Sequence, residues 1–349
     1  MIRTAGCLPG FPFSGKEESA VNLFASPAPR REGSIYDRTL LREDAPVFVI
    51  GAVNMDLSGT PAAALRPADS NPGRISLSPG GVGRNIAENL RLLGRRVSLI
   101  TIMGDDTYAG IIREHCVNVG IDLQYSFTDP LGRTSAYLCI NEQNGDLHTA
   151  VADMAICEQL TPAKLEPLLP VLNHGSMVIV DANLPAETIE WIAGKITVPV
   201  AADPVSVSKA GRLKPLLPGL TLIKPNVPEA ELLTGVSIQG DMNLSRAAGV
   251  LHSMGVRRVY ISLGARGVWA DDAREGGMML PCAPGPVLNT TGCGDAFVAA
   301  AADAYLNGLG TFDAARRALA ASAICAGDSA AVCRTLSQEA IDVKLSFPM

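Results

Sequence analysis

The sequence predicts a doubly wound α/β sandwich: a mainly parallel central sheet with helices on both faces and a small β flap at one edge. Three observations carry that expectation. Short, nearly continuous Val/Ile/Leu runs alternate with stretches of helical spacing, the carboxyl ends of those runs are unusually polar, and two segments break the alternation. Uninterrupted apolar runs suit strands buried on both faces, whereas half-buried strands alternate apolar with polar residues.

Residues 1–45 stand apart, with Pro9, Pro12, Pro27 and Pro29, mixed charges and little periodicity. They have no apolar h-region and are not acid-poor, so they match neither a secretory signal nor a transit peptide. A mobile extension or an overextended start site is expected there, with Arg31–Leu41 pairing as a hairpin as the alternative. The main domain is expected over 46–340. Its strand runs are Val47–Val53, Val97–Met103, Met177–Val180, Val198–Ala201, Thr221–Ile223 and Val259–Leu263. Between the first two, Ile86, Leu90 and Leu93 form one apolar stripe that ends at Gly94, a helix with a C-terminal glycine. Thr134–Ile140 alternates at period two, turns near Asn144-Gly145 and returns through Leu147 to Val151, a strong hairpin signal. The segment Asp56–Leu77, rich in Pro, Ala and Ser, is inserted between a strand and its helix. Together, about 56–78 and 132–153 are expected to build a small antiparallel flap, a device that excludes water from a site.

The composition excludes several function classes. The chain has 349 residues, of which 47% are hydrophobic and 18% charged, so it builds a sizeable core and is not disordered. A net charge of −6 argues against a surface for nucleic acid, which needs clustered Lys and Arg. Aromatic residues, at 5%, are too sparse for a base-stacking platform. No uncharged apolar run reaches the roughly 18 residues of a membrane span, so a soluble protein with no membrane partner is expected. The eight cysteines contain no C-x-x-C pair and the four histidines are isolated, which leaves no metal-ligand spacing. Reduced thiols of a cytoplasmic enzyme are the expectation.

Ligands of open α/β sheets sit beyond the carboxyl ends of the strands. Here those ends carry Asn54, Asp56, Asp105, Asp106, Asp181, Asp203, Lys224, Asn226 and Ser262. Each reads alone as a cap or turn residue; the series reads as a polar active-site edge. The most informative stretch is Asn289-Thr-Thr-Gly-Cys-Gly-Asp295, which opens a helix expected over Ala296–Leu306. Its glycines let the backbone approach a ligand, and the amides of Gly292, Cys293 and Gly294 at a helix N-terminus suit phosphoryl oxygens. Asp295 reads either as the base that takes a proton from an attacking hydroxyl or as an ordinary acid favoured by the helix dipole. A second cluster, Gly80-Gly81-Val82-Gly83-Arg84-Asn85, also opens a helix, and it is neither a dinucleotide fingerprint nor a Walker A loop.

These two stretches resemble the two signatures of the PfkB, or ribokinase-like, family of sugar and nucleoside kinases. Between them, Lys224-Pro225-Asn226-x-x-Glu229 is similar to that family's Asn-x-x-Glu motif, and Ser262-Leu-Gly264-Ala-Arg-Gly267 to its nucleotide-binding strand end. The four motifs occur in order over about residues 47–335. Ala68–Gly73, Pro79–Ala87, Ala152–Met154 and Asp203–Ser206 further resemble the pseudouridine kinase branch of the family.

The resemblance implies a three-layer α/β/α sandwich with a lid, and transfer of the ATP γ-phosphate to a primary sugar hydroxyl. Asp295 becomes the base, with Gly292, Cys293 and Gly294 as the anion hole. Asn54, Asp56, Gly80, Gly81 and Asn85 hold ribose hydroxyls. ATP falls to Lys224, Asn226, Ser262, Gly264, Gly267 and the stretch Ala321–Ser329, while Asn226 and Glu229 organise Mg²⁺ through water. Thr134, Tyr137 and Asp153 either face the nucleobase or belong to sheet surface and core packing. Asn289 stands where the commoner signature has Asp, which puts a K⁺ site in doubt, and no catalytic role is expected of the Cys293 thiol. The narrow reading is pseudouridine phosphorylation, with a homodimer through the flap as a family tendency. Its alternatives are a kinase for another nucleoside or sugar (uridine, inosine, adenosine, ribose) and a non-catalytic nucleoside-binding regulator.

Overall fold

The computed structural model describes residues 45–143 and 146–346; the N-terminal extension through residue 44 and the Asn144-Gly145 turn lie outside the described residues. In chain order the elements begin with β1 (Val47–Ile50), β2 (Asn54–Pro61), β3 (Gly73–Gly80), α1 (Val82–Leu92), β4 (Val97–Ile100), β5 (Ile102–Gly104) and α2 (Thr107–Asn118). There follow β6 (Phe127–Asp129), β7 (Ala136–Asn141), β8 (Leu147–Asp153) and the single-turn helices α3 (Pro162–Leu165) and α4 (Leu169–Leu172). Next come β9 (Met177–Asp181), α5 (Ala186–Lys195), β10 (Val200–Asp203), α6 (Val207–Ala210), β11 (Leu222–Ile223), α7 (Val227–Thr234) and α8 (Asp241–Ser253). The chain closes with β12 (Arg258–Ser262), β13 (Val268–Asp272), β14 (Gly276–Leu280), α9 (Cys293–Leu306), α10 (Thr311–Ala326) and α11 (Gln338–Leu345).

The central sheet has the order β14-β13-β12-β11-β10-β9-β1-β4. Pairing is parallel from β12 to β4 and antiparallel at the β12–β13–β14 edge. Both faces are covered, which explains why the strands read as unbroken apolar runs. In β1, Val47 and Val49 face the layer of α1, α2, α9 and α10, while Phe48 and Ile50 face the layer of α5, α7 and α8. Every residue of α9 from Asp295 to Leu306 is buried, and its run of alanines lets it lie close to the sheet, α1 and α10.

β4 lies on one side of β1 and β9 on the other, so the chain reverses its direction of travel across the sheet there. Such a switch point opens a crevice above the strand ends, where α/β enzymes place their ligands. Glycines 51 and 83 keep this crevice tight; a Cβ on Gly83 would lie 2.9 Å from the Gly51 backbone.

The lid is a separate four-stranded sheet, β3-β2-β7-β8. Its two hairpins are antiparallel, but β2 and β7 join them in parallel, so the sheet is mixed where the sequence suggested an antiparallel flap. Hairpin signals are local, and the direction in which two hairpins meet is decided by tertiary packing. The β13–β14 hairpin was not among the expected strands, because Asp271, Asp272 and the glycines at 276 and 277 interrupt its apolar pattern. Among the described residues, no helix is long and apolar enough to cross a membrane.

Candidate active site

Three carboxylates and an ammonium meet above the switch point. Asp181 and Asp203 end neighbouring strands in direct register. Asp181 accepts from the Ala52 amide at 2.8 Å and the Asn183 amide at 2.9 Å, and Asp203 accepts from the Val205 amide at 2.7 Å. Val205 has φ of 65°, and the Ser206 amide donates to the Pro204 carbonyl across it. A β-branched residue in that region is strained, so the turn after β10 holds strain at the rim of the site. Lys224 lies 3.5 Å from Asp203 and is buried. Burial alone would lower its pKa, but Asp203, Glu229 and Asp295 together hold it above the ordinary lysine value.

Asp295 stands in the first turn of α9. Its pKa is pushed up to about 8, first by burial and then by Asp203 and Asp181; Asn85 and Lys224 act in the opposite direction. The Asn85 side-chain NH₂ donates to Asp295 Oδ2 at 2.7 Å. A carboxyl group poised near neutrality and placed at a helix N-terminus suits proton transfer from a hydroxyl.

The loop before Asp295 is shaped by backbone demands. Gly292 is the N-cap with φ of 80°, and a Cβ on it would lie 1.8 Å from the Ala331 carbonyl oxygen, so only glycine fits. The Cys293 amide points back to the Thr290 carbonyl at 3.3 Å. This corrects the expectation of three outward amides, because a turn bond shares the middle one. The Gly292 and Gly294 amides have no hydrogen-bond partner among the described residues. A Cβ on Gly294 would lie 3.1 Å from Lys224 Nζ, so the ammonium flanks the loop and adds positive charge to it. Donors at a helix N-terminus beside a cation suit a phosphoryl group. The Cys293 thiol faces the Asn289 carbonyl, and its hydrogen bond with Cys325 lowers its pKa. Asn289 braces the loop, donating to the Ser329 carbonyl at 3.0 Å and accepting from the Thr291 amide at 2.9 Å.

On the other side of Asp295 lie the residues expected to hold a sugar. Asn54 donates to Asp56, whose pKa is raised by burial against the opposing effects of Asn54 and Arg84. Gly80 lies directly on the Asp56 carboxylate, and Gly81 turns into α1 with φ of 100°. Asn54, Asp56, Gly80, Gly81 and Asn85 therefore form one wall, which meets Asp295 through Asn85. Arg84, Glu88 and His115 support it from behind, and the sequence reading gave these three no role. The Arg84–Glu88 spacing of four residues on one helix was the available signal.

Lys224, Asn226 and Ser262 gather at adjacent strand ends, where the Ser262 amide donates to the Pro225 carbonyl at 2.9 Å. Asn226 and Glu229 form a reciprocal capping box on α7, each bond 2.9 Å long. Gly264 and Gly267 bracket the tight turn after β12 with φ of 60° and 100°. Among the described residues, no group of three or more His, Cys, Asp or Glu side chains forms a metal cage. One carboxylate near a phosphate site fits Mg²⁺ held largely by water and phosphate oxygens.

The lid residues divide. Tyr137 pairs with Asp56 in the β2–β7 register and shares its face of the sheet. Asp153 pairs with Ala136, so it stands on the opposite face and is exposed. Thr134 is buried, and its hydroxyl accepts from the Gly104 amide at 3.0 Å while its own amide donates to Asp106. That is a packing role at the base of the lid. Ser329 is exposed beside Asn289.

Comparison with known proteins gives this geometry a family. A family model described as pfkB family carbohydrate kinase matches residues 44–334. The chain is 35% identical over 297 residues to the uncharacterized sugar kinase YeiI of Escherichia coli strain K12, covering 84% of this chain and 82% of that one. It is 34% identical over 271 residues to the pseudouridine kinase of the same organism, covering 77% and 86%. Among solved structures, a carbohydrate kinase from Agrobacterium tumefaciens superposes with a TM-score of 0.77 at 29% identity, over 86% of this chain and 97% of that one. A ribokinase from Arabidopsis thaliana, complexed with ribose and ATP, superposes with a TM-score of 0.79 at 22% identity, over 87% and 99%, and shares the fold. With its ribokinase fold and these relatives, the chain belongs to the pfkB carbohydrate kinase family and is a phosphotransferase with an alcohol group as acceptor.

Proposed function

We propose that the protein is an ATP-dependent pseudouridine kinase, which transfers the γ-phosphoryl group of ATP to the ribose 5′-hydroxyl and yields pseudouridine 5′-phosphate and ADP. The observation that carries the chemistry is Asp295, buried between the Asn85 amide and the Gly292–Gly294 loop, with a pKa pushed up to about 8. In this reading the hydroxyl oxygen forms a bond to the γ-phosphorus, the bridging bond to ADP breaks, and the hydroxyl proton passes to Asp295. The Gly292 and Gly294 amides and Lys224 stabilise the negative charge on the transferring group. Mg²⁺ bound near Asn226 and Glu229 would neutralise phosphate charge. Asn54, Asp56 and Asn85 orient the ribose hydroxyls, and Lys224, Ser262, Gly264 and Gly267 line the nucleotide side with Ser329 at its rim. K⁺ dependence is not part of the reading, since Asn289 spends its side chain on the loop itself.

The kinase domain is assigned to 46–340 with the lid at 54–80 and 136–153, and a cytoplasmic setting agrees with seven free cysteines among the described residues. The lid carries an exposed apolar face that supports a homodimer. The choice of pseudouridine rests on the 34% identity to a pseudouridine kinase. The 35% identity to a sugar kinase favours a second reading, in which the acceptor is another nucleoside or a free sugar.

The deciding experiment is ADP release with Mg²⁺–ATP across pseudouridine, uridine, inosine, adenosine, ribose and fructose. Selective turnover of pseudouridine is expected. Preference for another acceptor would keep the chemistry and discard the substrate, and silence across the panel would overturn the proposal.

A further inference from the structure

The wall behind Asp295 contains a polar chain that the chemistry above does not use. Arg84 and Glu88 lie one turn apart on α1, and both side chains are nearly fully buried, at 3% and 4% exposure. A buried guanidinium is costly unless each face finds a partner. Arg84 finds three: its Nε donates to the Gly80 carbonyl at 3.2 Å, Nη1 donates to Glu88, and Nη2 donates to Asn85 Oδ1. Glu88 is held in turn by His115 at 2.9 Å; though burial raises its pKa, His115 and Arg84 bring it below the ordinary value.

The chemistry of the donors fixes the direction of this chain. A guanidinium only donates, so the Asn85 atom facing Arg84 must be the carboxamide oxygen. The NH₂ group is then turned toward Asp295, where it donates to Oδ2 at 2.7 Å. With the opposite rotamer, an amide oxygen would face a carboxylate and an NH₂ would face a guanidinium, two repulsive contacts. Resting on the kinase reading above, we infer that Arg84 is a positioning residue: its fork locks the Asn85 carboxamide so that Asp295 keeps Oδ2 occupied and turns Oδ1 to the acceptor hydroxyl. Its bond to the Gly80 carbonyl fixes, in the same stroke, the turn that lies against Asp56. Glu88 and His115 anchor the guanidinium from the far side and touch no reacting atom.

The groups around Asp295 are Asp203, Asp181, Lys224 and Asn85, and of these only Asn85 is set by Arg84. The test is therefore the pH profile of kcat for the preferred acceptor in Arg84→Lys and Arg84→Met, beside the wild type and Asp295→Asn. Lysine keeps the charge and lacks the fork. Both Arg84 variants are expected to lose on the order of 10- to 100-fold in kcat, the cost of a misplaced catalytic group. In both, the acid limb should move up by about one pH unit, because loss of the Asn85 donation disfavours the carboxylate. Glu88→Gln, which keeps an acceptor for Arg84 and disturbs the core least, should show a smaller shift of the same sign. A lowered melting temperature with the limb and kcat unchanged, or full rescue by lysine, would overturn the inference. A wild-type profile with no limb sensitive to Asp295→Asn would instead remove Asp295 as the base, the part of the proposed function on which the inference rests.

Discussion

Asp295 lies where two carboxylates, an ammonium and an amide converge, and its burden shows in its ionisation. Burial first, and then Asp203 and Asp181, raise its pKa from 3.8 to about 8. The folded protein thus holds a proton on Asp295 through a pH range in which the unfolded chain has released it. The contribution of Asp295 to stability therefore falls as pH rises from about 4 to about 8, and is constant outside that window. With Asp295 as the proposed base, the same shift is expected to make activity rise as pH approaches 8. Asp295→Asn separates the two effects. It is expected to lower turnover on the order of 10²- to 10⁴-fold and to melt higher than the wild type, by a margin that widens between pH 4 and 8. Steady-state turnover beside thermal melting at several pH values checks both, and undiminished turnover would remove Asp295 as the base.

At the scale of elements, α7 shows how one pair of residues serves both fold and site. The Asn226–Glu229 capping box satisfies donors at the start of the helix, and this alone explains both residues structurally. Glu229→Gln separates the roles, since glutamine still accepts from the Asn226 amide but carries no charge. If Glu229 also orders Mg²⁺, the variant should melt within a few degrees of the wild type yet need several-fold more Mg²⁺ for half-maximal turnover, read from an Mg²⁺ titration. An unchanged titration would leave only the cap. This double use also explains which parts were legible in the sequence. The glycine loops were readable because backbone demands at Gly81 and Gly292 admit one residue type, and β1, β4, β9, β10 and β12 because burial on both faces keeps their interiors largely apolar, with polar residues mostly at the strand ends. Asp181 and Asp203 were visible only as a polar edge, for a strand-end carboxylate looks the same whether it caps a turn or charges a site. Arg84 was hidden because an Arg and a Glu four residues apart look the same on a solvated helix face, and only the packing of α1, with His115 of α2 on Glu88, buries the pair.

At the scale of the whole molecule, the lid has two unlike faces. The β-strand alternation puts Asn54, Asp56, Tyr137 and Ser78 on one, and Leu57, Leu77, Leu138 and Val151 in a row across all four strands on the other. In that row Leu77, Leu138 and Val151 are 53%, 45% and 65% exposed, and Ile75 beside them is 73% exposed. A contiguous apolar face of this kind on a projecting sheet is costly in water, and covering it with the same face of a second copy removes the cost while closing the symmetry. Leu138→Asp places a charge at the centre of the row without touching Asp295, the glycine loops or the polar face. The wild type is expected to sediment as a dimer and the variant as a monomer. Because Leu138 follows Tyr137 directly in β7, loss of the dimer should loosen the strand that carries the acceptor-facing side chains. The variant should therefore raise KM for the acceptor several-fold and leave KM for ATP, whose proposed site at Lys224, Ser262, Gly264 and Gly267 lies outside the lid sheet, near its original value. Sedimentation velocity and initial-rate kinetics on one preparation read both. A wild type that sediments as a monomer at micromolar concentration would leave the apolar row to some other partner, and a monomeric variant with unchanged acceptor KM would uncouple the dimer from the site.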